Sequence, residues 1–329
     1  MIRAVIPGEE SNEGLKCMTI LIYDDIFLQH DTGFGHPENA RRLENTVEYL
    51  KESGLWERLT VVKSRAASGK EIGLVHPQTY IETIKQIADT GGGLLDADTV
   101  ISTASYDAAV HAAGAPLTAI DLIMEDKEKN AFCLVRPPGH HATPTRGMGF
   151  CFFNNAAIAA KYIQSKYHLG KILIVDWDVH HGNGTQDAFY RDPTVLYFSM
   201  HRYPFYPGSG RIEEDGQGKG KGFNINVPFS FDTMSEKYIE IFTDVMEQRV
   251  TQFVPDFIIV SAGFDTYKKD PIGGLNLDIE DFRTLTDVVM KFAKIHCKGR
   301  IVSCLEGGYH LTALPLCIEA HLKALLRSD

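Results

Sequence analysis

Short runs of β-branched and aliphatic residues alternate along the chain with longer stretches whose apolar positions recur at helical spacing. Thr19–Tyr23, Leu59–Val62, Ala131–Val135, Lys171–Asp176, Val195–Met200, Asp256–Ser261 and Arg300–Leu305 read as strands, and Phe223–Val227 is strand-like. Most of these runs are apolar without strict alternation, the mark of strands buried on both faces in a parallel sheet covered by helices. The helical stretches are about Ala40–Glu52, Pro77–Asp89, Ser105–Met124, Asn154–Tyr167, Ser235–Gln252, Asp278–Ile295 and Pro315–Arg327, with Pro116 predicting a kink in the third. Alternation of this kind through nearly the whole chain predicts one open α/β domain over residues 1–329, with residues 1–17 a peripheral segment.

Composition narrows the class. Of the 329 residues, 44% are hydrophobic and 23% charged, which excludes a disordered chain. Lys and Arg number 33 against 43 Asp and Glu, a formal net charge of −10. That balance lacks the footprint of a nucleic-acid binder. The cysteines, Cys17, Cys133, Cys151, Cys297, Cys304 and Cys317, form no CxxC pair and several sit in apolar runs, as reduced core thiols of a cytoplasmic protein do. No apolar stretch approaches the roughly 18 residues of a membrane span. The glycine-rich Gly208–Gly222 lacks the Ser or Thr after Lys221 that a phosphate loop needs, and reads as a flexible surface loop.

Polar, ionisable residues cluster after four of the predicted strands: Arg136-Pro-Pro-Gly-His140-His141, Asp176-Trp-Asp178-Val-His180-His181-Gly-Asn183, Ser261-Ala-Gly-Phe-Asp265, and Glu306-Gly-Gly-Tyr309. In open α/β sheets, ligands bind outside the carboxyl ends of the strands. Asp178 and His180, two apart on extended backbone, point the same way. With Asp265 they make a three-ligand set with an open position, the arrangement of a catalytic zinc, although Fe(II), Mn(II) or Co(II) also suits it. His140 and His141 are either an acid–base pair with separated pKa values or two solvated loop histidines. Asp176 and Asn183 are candidate partners for their ring nitrogens. Tyr309, after a Gly-Gly turn, is either a donor to a developing oxyanion or a core aromatic.

Five motifs, RPPGHHA, GFCFFNN, DWDVHHGNGTQ, SAGFD and LEGGY, together with the N-terminal HDTGFGHPE, resemble the zinc-dependent histone deacetylase superfamily, which includes acetylpolyamine amidohydrolases and acetoin-utilisation proteins. HDTGFGHPE and Asn183 look more like class II members than class I. The resemblance implies the arginase–deacetylase fold, an open, mostly parallel eight-stranded sheet flanked by helices. It implies zinc on Asp178, His180 and Asp265, His141 as general base and then acid, His140 held by Asp176 as its electrostatic partner, and Tyr309 polarising the amide carbonyl. It further implies a substrate channel walled by Phe150 and Cys151, lined by Gly149 and Gly307, with Asp98 as a rim carboxylate. A K+ or Na+ site would use Asp176, Asp178, His180, Ser199 and Met200, and a second Phe189, Asp192, Val195 and Phe223.

Departures from the family pattern carry expectations of their own. Asn183 replaces the class I carboxylate, which predicts a less basic His141. Tyr206 stands where many members have a second channel phenylalanine, predicting a more polar rim. Ile272 occupies the place of the glutamate gatekeeper of the polyamine-selective relative. A dinuclear ureohydrolase of the arginase type would need further carboxylates where Gly182 and Tyr267 stand. The expected activity is hydrolysis of N-acetyl-lysine in acetylated proteins or peptides, with a small acyl-amine such as an acetylpolyamine as the alternative substrate, and a silent acyl-lysine binding module as the rival from another class.

Overall fold

The computed structural model describes residues 19–327. Cys17 and the expected peripheral segment 1–17 lie outside the described residues. Eight strands form one sheet: β1 (Thr19–Ile22), β2 (Leu59–Val62), β3 (Asn130–Cys133), β4 (Ile172–Asp176), β5 (Val195–Arg202), β6 (Asn224–Phe229), β7 (Phe257–Ala262) and β8 (Ile301–Leu305). Their order is β2-β1-β3-β8-β7-β4-β5-β6, and every pairing is parallel. The expected mostly parallel sheet is therefore parallel throughout.

Every residue of β1, β3, β4, β7 and β8 is buried, which is why these runs show no alternation. The edge strands β2 and β6 mix buried with half-buried positions, and β2 exposes Val61. Helices Arg41–Glu52, Ser235–Val245, Ile279–His296 and Leu314–Leu325 pack in one group; Gln78–Asp89, Ser105–Met124 and Asn155–Tyr167 pack in another. Ser105–Met124 runs as one helix through Pro116, with no break at the expected kink.

Three local features differ from the sequence reading. The helix expected over Ser235–Gln252 turns π-helical at Met246–Val250 before a last short turn, Thr251–Phe253. A small antiparallel hairpin, Gly93–Leu94 with Val100–Ile101, is too short for a periodic signal and presents Asp96 and Asp98. The Gly208–Gly222 segment is anchored rather than loose. Ser209 bonds the His181 ring at 2.8 Å, and Glu214 accepts from Gln186 and from the backbone of Gly210 and Arg211. Buried polar side chains beneath the loop need those partners. The five described cysteines are buried free thiols.

Candidate active site

The sheet order explains why four scattered motifs can act together. β3, β8, β7 and β4 are neighbours at its centre, although β5 and β6 intervene between β4 and β7 in the chain. Their carboxyl ends carry the His140 loop, Glu306 to Tyr309, Asp265, and Asp176 to His180.

Asp178, His180 and Asp265 are buried, and their candidate ligand atoms lie within 4.8 Å of one another. His180 Nδ1 faces both carboxylates, 3.0 Å from Asp178 Oδ1 and 3.1 Å from Asp265 Oδ2. Asp178 Oδ2 accepts from the Gly307 amide at 2.8 Å, and Asp265 Oδ1 from the Val179 amide at 2.8 Å. Asp265 Oδ2 is buried and accepts no hydrogen bond. Burial and the Asp178 charge push the Asp265 carboxyl up to about 7, a repulsion that a cation between the two carboxylates relieves. Gly307 is required at this point, because a Cβ there would stand 2.2 Å from Asp265 Oδ2 and 2.6 Å from Asp178 Oδ2. The donor set, the orphaned oxygen and this cradle fit a divalent zinc-like ion.

The two histidines above this set have opposite environments. His140 Nδ1 donates to Asp176 Oδ2 at 3.0 Å, and Asp176 Oδ2 also accepts from the Tyr197 hydroxyl at 2.9 Å. Burial pulls His140 down, but Asp176, Asp178 and Glu306 outweigh it and raise the imidazole to about 10. His141 Nδ1 meets the neutral Asn183 Oδ1 at 2.9 Å. Burial, then the charges of His140 and His180, hold His141 well below its usual value. The ring centroids of His140 and His141 are 4.0 Å apart, close enough for one charge to suppress the other.

Tyr309 and Phe150 meet edge to face, with centroids 6.0 Å apart, and Tyr206 meets His141 at 5.1 Å. Gly149 has φ +56°, and a Cβ there would stand 2.4 Å from the His141 ring, so only glycine lets the wall approach the histidine. Cys151 is fully buried, with its thiol turned to the Gly149 carbonyl. Asp98 is exposed, and its carbonyl lies 3.1 Å from His36 Nε2. Ile272 is half-buried, its amide bonded to Asp270. A cavity of about 660 Å³ lies between the His30–Arg41 segment and Tyr309, Pro271 and Leu311.

Of the monovalent-cation residues, Ser199 is the β5 partner of Asp176 on β4, and its hydroxyl lies 2.9 Å from His201 Nδ1. Met200 is buried beside it. In the second group the carbonyls of Phe189 and Phe223 accept from the amides of Asp192 and Tyr197, and Val195 opens β5. The Asp192 carboxylate is instead taken by Lys161 at 2.6 Å.

For several residues that hold the site, the chain gives no sign of the pairing. Glu306, fully buried, accepts from the amides of Gly139 and His140 at 2.7 and 3.1 Å and from Ser261 at 3.0 Å. Glu38 is gripped by Arg136 through both oxygens and by Arg42 at 3.0 Å. Arg42 in turn donates to the carbonyls of Glu306 and Gly308 at 2.6 and 2.7 Å. Asp270 accepts from the amides of Tyr309 and His310. Glu38, Arg136, Ser261 and Glu306 lie in the motifs and Arg42 and Asp270 outside them, and spacing does not say who pairs with whom.

The Asp/His/Asp set at the central strand ends of this parallel sheet can hold a metal ion, and similarity to known proteins says which class uses it so. The histone deacetylase domain family matches residues 36–325, and the chain belongs to it. It is 38% identical to a probable deacetylase of Archaeoglobus fulgidus over 91% of this chain and 83% of that one. Histone deacetylase 4 of Caenorhabditis elegans is 38% identical over 94% of this chain, which spans 39% of that protein. Histone deacetylase 9 of Homo sapiens is also 38% identical over 94% of this chain, which spans 34% of it. The crystal structure of the HDA15 HD domain superposes with a TM-score of 0.90 at 35% identity, covering 94% of this chain and 88% of that one. No helix among the described residues is long and apolar enough to cross a membrane.

Proposed function

We propose that the protein is a zinc-dependent hydrolase of N-acetyl-lysine amides in proteins or peptides. The observation that carries this reading is the buried Asp178, His180 and Asp265 set with the His141 ring 5.8 Å from that of His180. Zinc held there supplies Lewis-acid polarisation of the amide carbonyl and lowers the pKa of a water. Because Asn183 Oδ1 can only accept, His141 Nδ1 carries the proton and Nε2 keeps its lone pair. His141 Nε2 therefore takes the proton from the attacking water and delivers it to the leaving amine. His140, a cation on Asp176, keeps His141 neutral in the resting site. Burial holds the Tyr309 phenol well above its usual pKa, so it stays a donor and meets the carbonyl oxygen as charge develops. The family resemblance supports a K+ or Na+ ion at Asp176, Asp178, His180, Ser199 and Met200. A second ion would rest mostly on backbone carbonyls at Phe189, Asp192, Val195 and Phe223, the Asp192 carboxylate itself being held by Lys161.

The apolar Ile272 at the gatekeeper place favours acetyl-lysine over an acetylpolyamine, whose cationic chain gains no partner there. The test is acetate release from an acetyl-lysine peptide by metal-stripped protein before and after zinc addition, with Tyr309→Phe alongside. Zinc should restore turnover, and Tyr309→Phe should cost about 10²–10³ in kcat, the usual loss of one oxyanion donor. Zinc-loaded protein that cleaves acetylspermidine but not the peptide moves the substrate to small acyl-amines. Tight hydroxamate binding with no acetate released from either substrate sinks the enzyme reading in favour of a binding module.

A further inference from the structure

A metal-ligating histidine usually holds its ring by donating the second N–H to a carboxylate, carbonyl or water. His180 turns Nδ1 toward Asp178 and Asp265, and its Nε2 has no hydrogen-bond partner among the described residues. What meets the ring instead is a column of planar groups. The imidazole stacks on Phe205, with centroids 5.2 Å apart and planes within 12°. The Arg202 guanidinium lies over the Phe205 ring at 4.2 Å and over the Phe231 ring at 4.5 Å. Arg202 is fixed at both ends. Its backbone amide donates to the Val179 carbonyl at 2.8 Å, and its Nη1 donates to the Gly273 carbonyl at 3.3 Å. The guanidinium is thus a flat plate between two rings, a task for which a lysine ammonium has the charge but not the shape.

We propose that Arg202 is a positioning residue for the metal site: sandwiched between Phe205 and Phe231, it clamps Phe205 onto His180 and so fixes the plane in which Nδ1 meets the two carboxylates. Stacking sets the tilt of the ring, whatever meets Nε2. The proposal rests on the reading of Asp178, His180 and Asp265 as a metal set, and the wild-type protein tests that reading separately.

The experiment titrates metal-stripped protein with zinc against a chromophoric chelator and records the visible absorption of the cobalt(II)-loaded form. Arg202→Leu should weaken zinc binding about 10-fold, at the low end of what loss of a ligand-orienting partner costs, and shift the cobalt band. Arg202→Lys, which keeps charge without the plate, should share most of that loss. Phe231→Ala, at a position 60% exposed where folding is not at risk, should cost about threefold by loosening the outer side of the clamp. Wild-type zinc affinity and an unmoved cobalt spectrum in Arg202→Leu would overturn the proposal, even with a raised KM or lowered Tm, because Arg202 would then only brace the Gly273 loop. Should Arg202→Leu fail to fold, the same two readouts on Phe231→Ala decide it. A wild-type protein that binds no zinc refutes the metal reading instead.

Discussion

Asn183→Asp isolates one term of the catalytic electrostatics. The amide oxygen of Asn183 lies 2.9 Å from His141 Nδ1, and a carboxylate oxygen in its place accepts the same hydrogen bond. The tautomer is preserved and Nε2 keeps its lone pair, so what changes is charge. An anion within about 4–6 Å raises an imidazole by roughly 1–3 pKa units, and each unit is about 1.4 kcal/mol of preference for the imidazolium. Asn183 is half-buried, so part of the new field is screened, and a rise of about 1–2 units is expected. His141 starts from a value held well below the ordinary histidine range by burial and by His140 and His180. A base must be deprotonated to act, so raising its pKa moves the acidic limb of kcat/KM to higher pH. The assay is the pH–rate profile of acetyl-lysine peptide cleavage for wild type and variant at fixed zinc. An acidic limb that stays within about 0.3 units of wild type would refute the assignment of His141 as the titrating base or of Asn183 as the partner that sets it.

Two further perturbations probe the scaffold. Gly307→Ala places a methyl between the carboxylates of Asp178 and Asp265 and should remove measurable zinc binding in a chelator competition while the sheet stays folded by circular dichroism; zinc affinity within about twofold of wild type would contradict the cradle geometry. Glu38→Gln leaves two fully buried guanidinium groups without their anion and should cost about 3–5 kcal/mol in urea unfolding; a loss below about 1 kcal/mol would mean the pair is not the clasp it looks to be. Burial alone would raise Glu38, but Arg136 and Arg42 outweigh it and hold the carboxyl well below the usual range. Its stabilisation is therefore complete above the unfolded pKa of about 4.3 and is lost as pH falls toward the folded value, so wild-type stability should drop more steeply than the variant's below about pH 4.

What could be read from the chain follows from which forces are local. The central strands were legible because burial on both faces leaves an unbroken apolar run, and Ile172–Asp176 or Ile301–Leu305 admit little else. The π-helical turn at Met246–Val250 and the hairpin at Gly93–Ile101 were not, since neither changes hydrophobic periodicity over enough residues. The candidate site residues could be named one strand end at a time, and the family resemblance supplied roles for them. Their meeting depends on the order β3-β8-β7-β4, which no local pattern encodes. Gly208–Gly222 misled for a related reason: its glycines signal turn geometry, whereas its anchoring to His181 and Gln186 is a property of the folded surface beneath it.

His140 could be paired with Asp176 from the chain, but the partners of Glu306, Glu38 and Asp270 were invisible, and they hold the site in shape. Glu306 pins the amides of Gly139 and His140, fixing the loop from which both histidines project. Glu38 acts at one remove: it holds Arg42, whose Nε and Nη2 grip the carbonyls of Gly308 and Glu306, and whose guanidinium lies 4.9 Å from the Tyr309 ring. Asp270 pins the amides of Tyr309 and His310 from the opposite side. The base and the phenol thus stand on loops held by separate carboxylates, neither of which needs to touch a substrate, and the two anchors meet at one residue. Glu306 offers its side chain to the histidine loop and its backbone carbonyl to Arg42. A displacement of Glu306 therefore moves both halves of the catalytic apparatus together, whereas loss of Asp270 loosens the Tyr309 loop and the Ile272–Gly273 turn but leaves the Glu306 hold on the histidine loop in place.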